Sequence, residues 1–221
     1  MKKIITVILL LLSLSMIYSI DKEKLNKDLL KAAGDGNLRS VKSILTKGAD
    51  INATSSLGWT PLMKCLFYKD SDGKKAVFEF LIAQGADINI TNNNGSNAFI
   101  AACTSGRLYA IETLLSKGAD INAKNNQGWT GLQWAVFSVK TDIVQLLIKK
   151  GVNINTKSEN DTTPLMTACE DPKAYKIAEL LLKNGADFTV KNKKGQTALS
   201  LATKAKSRNI IDMLTAAGAK E

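Results

Sequence analysis

The segment Leu114-Leu115-Ser116-Lys117-Gly118-Ala119-Asp120-Ile121-Asn122-Ala123-Lys124-Asn125-Asn126-Gln127-Gly128-Trp129-Thr130-Gly131-Leu132 holds the end of one element, a turn and the start of another. Ile111, Leu114 and Leu115 put apolar side chains at i, i+3 and i+4, the pattern of a one-faced helix. Gly118 suits the left-handed residue that closes such a helix, and Lys117 before it complements the negative end of the helix dipole.

The same pieces recur on both sides. Gly-Ala-Asp stands at Gly48, Gly85, Gly118 and Gly185, with degenerate copies at Gly151-Val152-Asn153 and Gly218-Ala219-Lys220, so the glycines are 37, 33, 33, 34 and 33 residues apart. A second marker keeps step: Gly58-Trp59-Thr60-Pro61-Leu62, Gly95-Ser96-Asn97-Ala98-Phe99, Gly128-Trp129-Thr130-Gly131-Leu132, Asp161-Thr162-Thr163-Pro164-Leu165 and Gly195-Gln196-Thr197-Ala198-Leu199. Thr60 and Thr163 read as helix N-caps, with Pro61 and Pro164 at the first helical position, where a missing N–H costs nothing. Each period therefore predicts a helix, a turn, a second helix, and a finger built from stretches such as Thr91-Asn92-Asn93-Asn94-Gly95.

A helix–turn–helix and finger every 33 residues resembles the ankyrin-repeat family, whose signature includes Thr-Pro-Leu-His-x-Ala. The resemblance covers residues 30 to 221 and implies an all-α solenoid of stacked helix pairs with β-turn fingers. Six pairs are expected, meeting near residues 53, 90, 123, 156 and 190, in one domain over 21–221. The histidine of the signature is replaced by Met63, Ile100, Gln133, Met166 and Ser200, so the bond that family members make from it to a neighbouring turn is expected to be missing from every repeat. The two longer periods place insertions between paired helices, around Lys69-Asp70-Ser71-Asp72 and near Asp171-Pro172-Lys173. Asp70-Ser71-Asp72-Gly73 reads as a flexible, solvated insertion.

Composition removes several function classes. The 221 residues contain no histidine, which takes away the usual nucleophile-activating base and the commonest metal ligand. No paired carboxylates, phosphate loop or serine-nucleophile motif stands out, so the expectation is a non-enzyme with no cofactor and no metal, with a hydrolytic enzyme working without histidine as the remote alternative. The Asp-x-Asn pairs at Asp50, Asp87 and Asp120 lack the glycine and distal glutamate of a calcium loop and read as turn hydrogen bonding. Cys65, Cys103 and Cys169 fall on helix positions and read as buried thiols, since Cys103 and Cys169 lie two repeats apart.

Lys2 and Lys3 precede an uncharged run from Ile4 to Ile20, the pattern of a secretory signal peptide over residues 1–20. Export to the periplasm or beyond follows, with an uncleaved N-terminal membrane anchor as the alternative. The weight of Lys, Asn and Ile, with the short leader, points to a bacterial source. Removing the leader takes the formal charge from +10 to +8. Many lysines sit at helix C-termini, and the chain lacks the aromatic-interleaved basic stripe of a nucleic-acid binder.

The family resemblance implies a monomeric protein-binding scaffold whose partner lies on a concave face of finger tips and first helices. Carried onto this sequence, the contact positions are Leu57, Trp59, Phe67 and Tyr68, then Trp129 and Phe137, then Glu159, Glu170, Lys193 and Lys194. Trp and Tyr concentrate binding energy, so the two aromatic clusters are the expected anchors. The competing reading of Trp59 and Trp129 is packing across neighbouring fingers. A different class of partner, an anionic surface or polyanion held by the net positive charge, remains alongside the protein partner.

Overall fold

The computed structural model describes residues 21–67 and 71–220, so the leader segment 1–20 and Tyr68 lie outside the described residues. The chain divides into two compact units, 1–92 and 93–221.

In the first unit, residues 21–34 are helical (α1), followed by α2 (Leu38–Thr46), α3 (Pro61–Leu66) and α4 (Asp72–Ala83). Both α2 and α3 pack on α4, burying Val41, Leu62, Leu66, Val77, Phe78 and Leu81. The insertion expected at Asp70–Gly73 is solvent-exposed at Ser71 and Asp72, but from Ser71 onward it starts a helix rather than a loop. Ser71 caps α4, its hydroxyl accepting from the Lys74 amide, and Asp72 and Gly73 form the first turn of that helix. Gly73 lies against Gly36, where a Cβ would meet the Gly36 carbonyl. Lys74 is buried and its Nζ donates to the Phe67 carbonyl at 2.7 Å. Asp72 and Gly73 thus extend a helix, because a serine cap and a side-chain-free approach to Gly36 let them be packed.

The second unit contains α5 (Ala98–Ser105), α6 (Leu108–Ser116), α7 (Gly131–Phe137), α8 (Thr141–Lys149), α9 (Pro164–Cys169), α10 (Tyr175–Lys183), α11 (Ala198–Lys204) and α12 (Arg208–Ala216). The first helices of successive pairs stack as α5–α7–α9–α11, the second helices as α8–α10–α12, and each pair is joined within itself. Phe99, Ile111, Leu114, Leu132, Leu147, Ile177, Leu181 and Leu214 fill the space between the rows and are fully buried. Among the described residues there is no β-strand; the fingers carry one isolated antiparallel bridge, Lys124 to Thr130. No helix among them is long and apolar enough to cross a membrane.

Local chemistry explains the helix ends. Thr60, Asn97, Thr130, Thr163 and Thr197 each accept the amide of the third helical residue. Gly118 has φ of 86° and closes α6 in the left-handed region that a Cβ disfavours. The residue between α9 and α10 that lengthens one period is taken up by a 3-10 turn, Pro172–Ala174, started by Asp171. In the corresponding turn after α7, Val139 has φ of 52°. The left-handed conformation costs an L-residue roughly 1–2 kcal/mol, more than the roughly 0.5–1 kcal/mol of extra chain entropy that glycine brings. Val139→Gly is therefore expected to raise the denaturation midpoint; a fall would mean that the packing of the half-buried valine outweighs its strain.

The Asp-x-Asn pairs form a ladder along the second turns. Each aspartate accepts the amide two residues on, as Asp50 does from Asn52 and Asp120 from Asn122. Within each unit, asparagines then reach the next copy: Asn52 accepts from the Asp87 amide, Asn122 from Asn153 and Asn155 from Asp187, at 2.9–3.0 Å. The Thr189 hydroxyl and amide hold the Asp187 carboxyl below the usual carboxylate range.

Candidate protein-binding face

In the first unit a short finger precedes α3. The Ser55 amide donates to the Trp59 carbonyl at 3.0 Å and the Trp59 amide to Ser55 Oγ at 3.2 Å, so the indole is delivered one residue before the Thr60 cap. It meets Phe67, at the far end of α3, edge to face with centroids 4.7 Å apart. Lys64 Nζ stands 5.9 Å from the Trp59 ring, and Leu57 at the finger tip is 63% exposed.

The equivalent finger in the second unit is held by Asn125. Its buried carboxamide oxygen accepts the amides of Gln127 and Trp129, while its own amide donates to the Trp129 carbonyl. Trp129 then joins two rings from α7, Trp134 at 5.0 Å and Phe137 at 5.8 Å, with Trp134 and Phe137 5.9 Å apart. Phe137 is 60% exposed despite these contacts. Each tryptophan thus packs on the first helix of its own repeat. Aromatic pairs of this geometry contribute about 0.5–1.5 kcal/mol beyond burial and pre-organise the rings.

Trp134 did not emerge from the sequence. It lies three residues before Phe137, which puts the two on one helix face, but a helical tryptophan reads as core. It lines a hollow of about 290 Å³ with Asn94, Ser96, Asn125, Asn126 and Gln127. Its indole Nε1 is buried with no acceptor among the described residues.

Glu159, Glu170, Lys193 and Lys194 are all exposed. Backbone bonds join successive finger tips, Glu159 N–H to the Gln127 carbonyl and Lys193 N–H to the Asn160 carbonyl. Glu170, Lys194 and Lys204 line one hollow of about 420 Å³ with Gln196, Leu201 and Ala205.

The histidine-replacement positions split into three kinds. Among the described residues, exposed Ser200 bonds only Thr197 in its own cap. Met63, Ile100 and Met166 are buried apolar residues. Gln133 corrects the expectation of a missing bond: its Nε2 donates to the Thr162 carbonyl of the next finger at 2.9 Å, and its Oε1 accepts the Thr130 amide at 3.2 Å. A primary amide offers the same N–H donor at that site as an imidazole would.

Among the described residues no three Cys, Asp or Glu side chains gather as a metal site. Cys65, Cys103 and Cys169 are buried. Burial pushes the Cys103 thiol far up and, helped by the Glu170 charge, the Cys169 thiol up to about 12. Iodoacetamide is therefore expected to leave all three unmodified in the native protein and to label them in denaturant, read by intact mass. Labelling of the native chain at the denatured rate would contradict that burial.

A family model for ankyrin repeats matches residues 29–125, 71–158, 110–192 and 157–221. The chain belongs to the ankyrin-repeat family. A human mitochondrial disaggregase is 44% identical over 50 residues, covering 22% of this ankyrin-repeat chain and 7% of the disaggregase. Ankyrin repeats generally mediate protein–protein interaction, and the family is typically non-catalytic.

Proposed function

We propose that this ankyrin-repeat protein is an exported, monomeric, non-catalytic scaffold that binds a partner protein through its finger tips and first helices. The supporting observation is Phe137, an aromatic ring 60% exposed yet braced edge-on by Trp129 and Trp134. An apolar surface held rigid before binding loses little side-chain entropy on docking, which is what makes aromatic residues effective anchors. Trp59, Phe67 and Leu57 form a second anchor within the first unit. Export rests on the charged and apolar pattern of residues 1–20.

The test compares the wild type with Trp129→Ala/Phe137→Ala as bait against the envelope fraction of the source cell. Retained affinity for the captured partner is expected to fall about tenfold or more, with the circular-dichroism melt of the bait still cooperative. A folded variant that binds as tightly as the wild type would refute the aromatic anchor. Loss of wild-type binding in moderate salt, with no dependence on the aromatic pair, would instead favour an anionic surface as the partner.

A further inference from the structure

In the second unit the helix and finger-tip rows change chemistry in the same order. At the C-terminal ends of the first helices, equivalent positions in α7, just past α9 and in α11 carry Phe137, Glu170 and Lys204; along the finger tips they carry Asn126, Glu159 and Lys193. Stacking of α7 on α9 and of α9 on α11 makes the helix row physically consecutive, and the bonds from Glu159 to Gln127 and from Lys193 to Asn160 do the same for the tips. Each row therefore runs from an uncharged repeat through an acidic one to a basic one. Lys194 reinforces the basic end, lining one hollow with Glu170 and Lys204. Among the described residues, none of Glu159, Glu170, Lys193, Lys194 or Lys204 enters an ion pair, unlike residues such as Lys183, which pairs with Glu179 four positions away.

We infer that the partner presents to this unit an extended peptide segment carrying a bulky apolar side chain, then a basic one, then an acidic one, each about three residues from the next. This deepens the scaffold reading and rests on it. The spacing follows from geometry: packed helices stand about 8–10 Å apart, and an extended chain advances about 3.3 Å per residue. The apolar residue meets Trp129, Trp134 and Phe137, the basic one Glu159 and Glu170, and the acidic one Lys193, Lys194 and Lys204. Exposed charges add little affinity singly, so the rings supply adhesion and the alternating charges fix register and reject mismatched sequences.

A library of random twelve-residue peptides displayed on phage, panned on the full chain, tests the order directly. The wild type is expected to enrich peptides with apolar, basic and acidic residues at steps of about three, in one chain direction or the other. The charge-swapped variant Glu170→Lys/Lys204→Glu is expected to enrich peptides with the two charges exchanged. A wild-type pool peptide should bind that variant at least about tenfold more weakly, and the exchanged peptide should regain the loss. The inference is overturned if the charge order in the pools ignores the swap, if the enriched peptides are uniformly acidic, or if no peptide is enriched. Panning on Trp129→Ala/Phe137→Ala separates the two levels. Enrichment that needs the rings but ignores the swap removes only the charge order, whereas enrichment indifferent to the rings removes the aromatic anchor itself.

Discussion

Replacing Gln133 with leucine is expected to destabilise the second unit by about 2–3 kcal/mol, although the new side chain is apolar and the site is fully buried. Leucine fits the usual rule for a core position, so burial alone forecasts a neutral or favourable change. The hydrogen bonds decide otherwise. The Gln133 carboxamide accepts the buried Thr130 amide and donates to the Thr162 carbonyl, closing a capping box and joining two repeats. Leucine leaves the Thr130 N–H with no side chain to bond. An unsatisfied buried donor costs about 1–3 kcal/mol and a lost carbonyl partner about 1 kcal/mol, while the exchange of amide for methyl groups returns part of this. For a chain of this size the midpoint should drop by about 5–10 °C. Because repeat proteins hold together through nearest-neighbour interfaces, hydrogen exchange should accelerate first in α7 and α9. An unchanged midpoint would show that water takes over both partners.

Gln133 also marks the boundary of what the sequence discloses. Period, caps and closing glycines were legible because each depends on a residue type that acts through its own backbone: threonine at an N-cap, proline at the first helical position, glycine at positive φ. Gln133, Trp134 and the asparagine ladder were not, because their roles depend on atoms about a repeat away or on a neighbouring ring. Read as the absence of histidine, position 133 signals a lost bond; read as a donor, glutamine preserves it. The Asp-x-Asn pairs were recognised as turn chemistry, but only the stacked repeats reveal that Asn122 and Asn155 each bond the following copy. Ser71 to Gly73 misled for a related reason. A polar, glycine-containing string has loop composition, and only the backbone of Gly36 against Gly73 makes helix the better solution. In the candidate face, Trp59 with Phe67 and Trp129 with Phe137 do come together as pairs, while Trp134 had to be found by its ring contacts.

Gly131→Ala is expected to be destabilising by about 1–2 kcal/mol, against the ordinary preference of helices for alanine. Gly131 opens α7 at the position where Pro61, Ala98, Pro164 and Ala198 open the other first helices, so restoring alanine looks like a repair. A Cβ there would lie 2.8 Å from Cys103 Sγ and 3.0 Å from Phe99 Cε1. Both neighbours belong to α5 and are fully buried, so neither can swing into solvent. In an interior packed to crystal density, the helices must part or a side chain must leave its rotamer, and overpacking of this kind costs about 1–3 kcal/mol. The propensity gain, at most about 1 kcal/mol and smaller at the first helical position, does not cover it. The cause is separable by a double-mutant cycle. Cys103→Ala alone loses a buried sulfur and should cost about 1 kcal/mol, but in the Gly131→Ala background it removes the colliding atom and should cost almost nothing. A coupling energy near zero in urea denaturation would mean that α5 and α7 slide apart freely; a favourable coupling of about 1 kcal/mol would trace the missing Cβ at position 131 to the thiol packed beneath it.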